Sequence, residues 1–291
     1  MKRILTLAMA LTALVCCRPD YDREAGVTAF AVPGTGDFVW ENSLTGYCIP
    51  GAGNDPASAS HGIDVWVKKP GRLVMRDWCW EARRHPERMH DDHKGMGGDF
   101  FTVGNGLGAG ASALLMDSGF VFPPAAFSSY QILRRTDSEV TFVLHYPVMK
   151  LGRFREVGLD KQISISAESR FCKVTDYYSG YFDELRIAAG LPLADDTQMY
   201  ADSVCQYVLN WNKADDGSMI GTAVYAGPNS CEVTQVNGHG HALLVATIAP
   251  DQPFTYYIGS CWSNAGVDSM DAWKEELLSF ISDSGNDTDN E

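Results

Sequence analysis

The sequence predicts an all-β fold, a large antiparallel β-sandwich with a few short helices, on three observations. Many short segments are rich in β-branched and aromatic residues, turn-forming clusters separate them, and helical periodicity is scarce. The first segment, "HGIDVWVKKP" (61–70), alternates, with Ile63, Val65 and Val67 on one face and Asp64, Trp66 and Lys68 on the other. Next, "SALLMDSGFVFPP" (112–124) reads as a short apolar strand and a turn. "EVTFVLHYPV" (139–148), "KQISISAE" (161–168), "RFCKVTDYYSG" (170–180), "GTAVYAG" (221–227), "HALLVATIA" (241–249) and "FTYYIGSCW" (254–262) continue the β pattern. Between the strands lie "GAGNDP", "ADDGS", "AGPNS" and "NGHG", all turn chemistry. The best helical stretch is "SMDAWKEELLSFIS" (269–282), where Ser269 can cap and Trp273, Leu277, Leu278 and Ile281 share a face.

The chain divides into three parts. Residues 1–17 have Lys2 and Arg3 before an apolar stretch ending at Cys16 and Cys17, the layout of an export signal. Leu14 three places before Cys17 resembles a bacterial lipobox. Cys17 is therefore the expected lipidation site, tethering the protein to the outer or inner membrane at the periplasmic or cell surface, with plain secretion as the alternative. Residues 18–282 read as a single β-sandwich catalytic domain, without an internal repeat or a Pro/Ser linker. The acidic tail 283–291 has no apolar anchor and is expected to be disordered.

The formal charge is −14, and loss of Lys2 and Arg3 with the signal takes it to −16. Nucleic acid is a poor partner for such a chain, because phosphate binding needs a basic footprint. Residues 68–94 are the exception. This net-positive segment includes Lys68, Arg83, Arg84, Arg88 and Lys94 and three of the seven histidines, which suits a small anionic ligand. After Cys17, six cysteines remain, none in a CxxC pair, so a thiolate zinc site is not expected.

Several residues could carry chemistry. Asp64, Trp66 and Lys68 in a row could line a sugar site, or form a solvent-facing strand surface with an ordinary ion pair. An unperturbed imidazole titrates near neutral pH, so His90 and His93 are candidates for acid/base work. With Asp91, Asp92, Asp99 or His241 they could also bind a divalent metal, although the spacing lacks the features of a zincin helix. The run "VGNGLGAGA" (103–111) superficially resembles a dinucleotide loop, but the strand and turn after it exclude that reading and leave the glycines to shape backbone. No GxSxG elbow is present. Glu41, Asp64, Asp92 and Asp99 could supply the paired carboxylates of a glycoside hydrolase.

The stretches "DFVWEN" (37–42), "HGIDVWVKK" (61–69), "HDDHKGMGGDFFTVGNGLGAG" (90–110), "SYQIL" (129–133) and "HALLVA" (241–246) occur in that order. In this arrangement the chain resembles the family DUF4861, exported Bacteroidetes proteins that include an oligosaccharide dehydratase acting on ulvan. The resemblance spans nearly the whole chain after Cys17 and implies a galactose-mutarotase-like supersandwich. It also implies a carbohydrate-active hydro-lyase that removes water from the non-reducing-end uronic acid of an oligosaccharide, leaving a 4,5-unsaturated residue. The residues then expected in catalysis are His90, His93, Asp92 and Tyr130, with the roles of acid and base open. Asp64, Trp66, Lys68, Arg83, Arg84, Asp99 and His241 are expected to bind the substrate. No cofactor is certain, and a divalent metal stays open. Two further function classes remain: a non-catalytic surface glycan-binding lipoprotein, and a glycoside hydrolase.

Overall fold

The fold is that of a computed structural model, which describes residues 26–51, 53, 61–152, 155–194, 197–214, 216–227 and 233–287. The export segment with Cys17, Cys231 and the tail beyond Asp287 lie outside the described residues. In chain order the strands are β1 (Val27–Ala31), β2 (Phe38–Asn42), β3 (Gly46–Ile49), β4 (Asp64–Lys68), β5 (Gly97–Gly98), β6 (Ser112–Met116) and β7 (Gly119–Val121). Then come β8 (Ser129–Arg135), β9 (Glu139–Leu151), β10 (Arg155–Ser166), β11 (Phe171–Gly180), β12 (Leu185–Pro192) and β13 (Gln198–Asp202). The last are β14 (Tyr207–Lys213), β15 (Met219–Tyr225), β16 (Val233–Gly238), β17 (His241–Ile248) and β18 (Phe254–Trp262). Among the described residues, two helices, α1 (Met75–Arg84) and α2 (Met270–Asp287), complete the regular elements together with two single 3₁₀ turns.

Three antiparallel sheets result. One has five strands, β1-β2-β3-β4-β5; one has eight, β13-β14-β15-β18-β11-β10-β9-β8; and one has five, β16-β17-β12-β6-β7. Both five-stranded sheets pack on the same face of the eight-stranded sheet, and their apolar faces form one continuous core. The architecture is thus the large antiparallel sandwich that the alternating segments predict, and every segment quoted above as a strand is one. Strand period places Ile63, Val65 and Val67 in that core together with Val157, Leu159, Ile163 and Ile165 of β10.

The same period turns Lys161 inward. Its ammonium meets Asp176 on the neighbouring strand at 2.6 Å and Ser112 of the opposing sheet at 2.8 Å, so the buried cation has both a counter-charge and a hydrogen-bond acceptor. The five described cysteines, Cys48, Cys79, Cys172, Cys205 and Cys261, are free thiols.

α2 begins at the expected cap, where the Ser269 hydroxyl accepts from the Ala272 N–H at 3.2 Å. Trp273 and Leu277 are fully buried, with Trp273 stacked on Phe171 at 5.3 Å. Leu278, expected on the same face, is instead 38% exposed, and Phe280 packs on Phe171 in its place. The helix runs on to Asp287, so residues 283–287, expected in a disordered tail, continue it despite Gly285 and Asn286.

α1 was not foreseen, although Met75, Trp78, Cys79 and Ala82 fall at helical spacing and pack together on the first sheet. It covers the face of β4 that carries Asp64, Trp66 and Lys68. That face is therefore neither solvent-exposed nor an open sugar platform; all three residues are buried.

The glycine run joins the two five-stranded sheets. Ile63 N–H donates to the Leu107 carbonyl at 3.3 Å, and Ala109 N–H donates to the Ile63 carbonyl at 2.8 Å. Gly108 needs its positive φ of 58°, and a Cβ on Gly106 would stand 2.3 Å from His241 Nε2. His241 Nδ1 meets the His239 carbonyl at 2.8 Å and must carry the proton, while Nε2 accepts from Leu107 N–H at 3.3 Å. Both nitrogens being engaged in a buried ring, His241 is a fastener of the glycine loop and not the substrate contact expected from the sequence.

Gly106→Ala is expected to cost about 1–3 kcal/mol through overpacking against His241. A Gly106→Ala, His241→Ala double variant should recover part of that loss relative to additivity, as thermal unfolding will show.

Candidate active site

The site is built on one buried ion pair. Glu41 on β2 and Lys68 on β4 have fully buried side chains 2.6 Å apart, and Lys68 Nζ also donates to the Asn42 carbonyl at 2.7 Å. The Glu41 carboxylate accepts from the backbone N–H groups of Val74 at 2.9 Å and Met75 at 2.8 Å, where α1 starts. It therefore does the work of the absent side-chain cap and opposes the positive end of the helix. Burial pushes the Glu41 carboxyl up and the Lys68 ammonium down, and each partner offsets part of the other's shift. Lys68 thus has no ammonium to offer a substrate, and Glu41 drops out as a catalytic carboxylate.

Fixed in this way, α1 aligns a column of rings. Trp66 Nε1 donates to Asp64 Oδ2 at 3.0 Å, Trp66 stacks towards Trp78 at 6.4 Å, and His93 lies flat on Trp78 at 4.4 Å. His93 Nδ1 is 3.5 Å from Glu81 on α1, and burial holds its pKa below the ordinary imidazole value against the opposing pull of Glu81. Arg88 bridges Glu81 at 3.5 Å and Asp91 at 3.0 Å, which ties the loop to the helix.

The loop returns to the sheet at β5, paired with Val67 and Lys68. Gly97, with φ of 116°, is required there because a Cβ would lie 2.1 Å from the Val67 carbonyl. Asp99 follows, buried beside Asp64, and His90 covers it. His90 Nδ1 is 2.9 Å from the Asp99 carbonyl oxygen and 3.3 Å from its Oδ2, with the imidazole 74% exposed and the Asp99 side chain 4%. A carbonyl oxygen can only accept, so Nδ1 carries the proton and Nε2 offers a lone pair to solvent.

Burial raises both carboxyls. Asp99 is pushed up to about 7, and Asp64 well above the carboxylate range by burial and then by the charge of Asp99, despite donors from Trp66 and from Val65 N–H at 2.7 Å. Among the described residues, no three His, Cys, Asp or Glu side chains converge as metal ligands do.

The fold brings together His90, His93, Asp99, Asp64 and Trp66, and adds Trp78 and Glu81, which the sequence reading missed. Their signal was the helical spacing of α1. Asp92 does not orient an imidazole: its carboxylate accepts from Gly95 and Gly97 N–H groups and shapes the turn in which Lys94 adopts a φ of 60°. Tyr130 sits on edge strand β8 with its ring 4.9 Å from Phe38, whose ring belongs to the main core. The first sheet separates it from the α1 side, so it is no partner for His90. Arg83 and Arg84 are exposed on α1, with guanidinium carbons 5.5 Å and 5.0 Å from the Trp80 ring centre.

Fold and site together define an antiparallel β-sandwich protein with a histidine over a buried carboxyl pair at the edge of one sheet. The chain belongs to the family described as a domain of unknown function (DUF4861), which it matches over residues 25–283. It is 25% identical over 265 residues to an uncharacterized protein of Formosa agariphila, an alignment covering 84% of this chain and 64% of that one. The chain thus spans under two thirds of that relative's length. Among solved structures, the galactosidase domain of an alpha-galactosidase-sucrose kinase aligns with a TM-score of 0.40 at 12% identity, covering 86% of this chain and 43% of that one. An alpha-galactosidase from Lactobacillus brevis aligns with a TM-score of 0.36 at 11% identity, covering 86% and 42%. Both of those proteins are alpha-galactosidases in whole or in part.

Two outcomes follow. Lys68→Met leaves a buried carboxylate facing α1 without its cation and should cost about 3–5 kcal/mol in urea unfolding. Asp99→Asn should act oppositely above neutrality. A carboxyl raised to about 7 stabilises the fold below its unfolded value and loses that contribution as pH rises through 7. The variant's stability gain should therefore be present at pH 8 and vanish towards pH 4, measured as the pH dependence of the unfolding midpoint.

Proposed function

We propose that the protein is a hydro-lyase acting on the non-reducing-end uronic acid of oligosaccharides during polysaccharide degradation. The observation that carries this reading is the His90 geometry: a ring with Nδ1 fixed by Asp99 and Nε2 open to solvent is arranged as a general base. Membership of DUF4861 and the net-positive segment around α1 support it.

In the reaction, His90 Nε2 takes the proton from C5 of the uronic acid. The C5–H electron pair becomes the C4=C5 double bond as the C4–O bond breaks, and the hydroxyl leaves as water with a proton from the imidazolium form of His93, which Glu81 favours against burial. Asp99 Oδ2, 3.3 Å from the protonated Nδ1 of His90, faces the imidazolium formed when the base takes the C5 proton, and in its carboxylate form it stabilises that cation. The N-terminal segment, with Cys17 as lipid anchor, would place this activity at the cell envelope, where glycan fragments arrive.

The test is to incubate the protein with saturated uronyl oligosaccharides. Product should show the ultraviolet absorbance of a conjugated uronate and the loss of one water by mass spectrometry. His90→Gln should lower kcat by about 10²–10⁴-fold. Absence of both signals across several uronate glycans would remove the hydro-lyase reading. Retained binding without turnover would favour a glycan-capture protein, and shorter sugars without the chromophore a hydrolase.

A further inference from the structure

We infer that the outer side of α1 is a docking subsite for an anionic sugar unit distal to the reacting one, with Trp80 as the stacking surface and Arg83 and Arg84 as the anion contacts. This deepens the hydro-lyase reading and rests on it only for the position of the reacting unit.

Trp80 is 40% exposed, on the side of the helix opposite the buried Trp78. Arg83 and Arg84, three and four residues on, place their guanidinium groups over its ring. Neither arginine forms an ion pair with a carboxylate among the described residues, although the chain as a whole carries a charge of −14. Arg88, the next cation along, is by contrast held by both Glu81 and Asp91. Two adjacent cations left over an indole in an acidic protein repel each other and attract anions. A pyranose laid on the indole would put a carboxylate or sulfate substituent within reach of planar donors suited to it.

Position on the helix connects this surface to the site. At about 100° per residue, Arg84 falls between Glu81 and Trp80 around the helix. Glu81 contacts His93 at 3.5 Å, so a path runs from His93 over Glu81 and Arg84 to Trp80. A chain whose terminal unit sits at His90 and His93 can therefore lay its next units across α1. The polarity of the path selects a polyanionic chain and not a neutral one.

The experiment uses the full-length protein and direct binding by calorimetry, so that it does not depend on turnover. The anionic probes are tetragalacturonate, tetramannuronate and a saturated hyaluronan tetrasaccharide; the neutral ones are cellotetraose and chitotetraose. At least one anionic probe should bind in preference to both neutral ones. Its affinity should fall about tenfold in Trp80→Ala and in Arg83→Gln/Arg84→Gln. The double arginine variant should also show a shallower dependence on salt, while the unfolding midpoints stay unchanged because all three side chains are exposed. Equal affinity of wild type and variants, no binding of any anionic probe, or equal loss of neutral and anionic probes would overturn the inference. Loss of binding in these variants without any dehydration would instead retain the subsite and remove the hydro-lyase reading.

Discussion

The buried pair of Glu41 and Lys68 is the contact on which the site depends. Two charges removed from water are costly, and this pair is tolerable because each also meets backbone groups: Lys68 the Asn42 carbonyl, Glu41 the first free N–H groups of α1. One carboxylate therefore serves two elements. It neutralises a cation inside the first sheet and anchors a helix whose own N-terminal residue, Val74, has no capping side chain. Gly46 allows the close fit, since a Cβ there would stand 2.8 Å from Met75 Sδ.

The rest of the site follows from that anchorage. α1 carries Trp78 and Glu81 on one side and Trp80 with its arginines on the other. Trp78 supports His93, and Glu81 reaches both His93 and Arg88. The loop between α1 and β5 is thus held along its length, at Arg88, at the Asp92 turn and at the Gly97 contact with β4. Asp99 arrives beside Asp64 because β5 pairs with β4. Two carboxyls in one dry place cannot both ionise easily, and His90 is the group through which they meet solvent.

The strands were legible because each needs only a local pattern. Period-2 alternation in 62–70 and 161–166 gives the right faces without knowledge of what covers them. The role of a face was not legible. Asp64, Trp66 and Lys68 were correctly grouped, but α1 made them interior, and their chemistry changed with burial: Lys68 became a structural cation and Asp64 a carboxyl whose pKa burial raises. His90, His93 and Asp99 were visible as a cluster within ten residues of chain. Asp92, equally near in sequence, was not separable from Asp99, since only the turn geometry shows that its oxygens serve Gly95 and Gly97.

What the sequence alone determined was the antiparallel β class, the helical stretch near the C-terminus, the acidic charge and the concentration of titratable groups between 88 and 99. These follow from periodicity, turn chemistry and composition, which are properties of neighbouring residues. The tertiary structure alone decided that Glu41 pairs with Lys68 across 27 positions and that His241 fastens Leu107 across 134. It also decided that Tyr130 lies beyond the sheet from His90. Those outcomes depend on which surfaces become dry, and desolvation, unlike strand period, is a property of the packed chain.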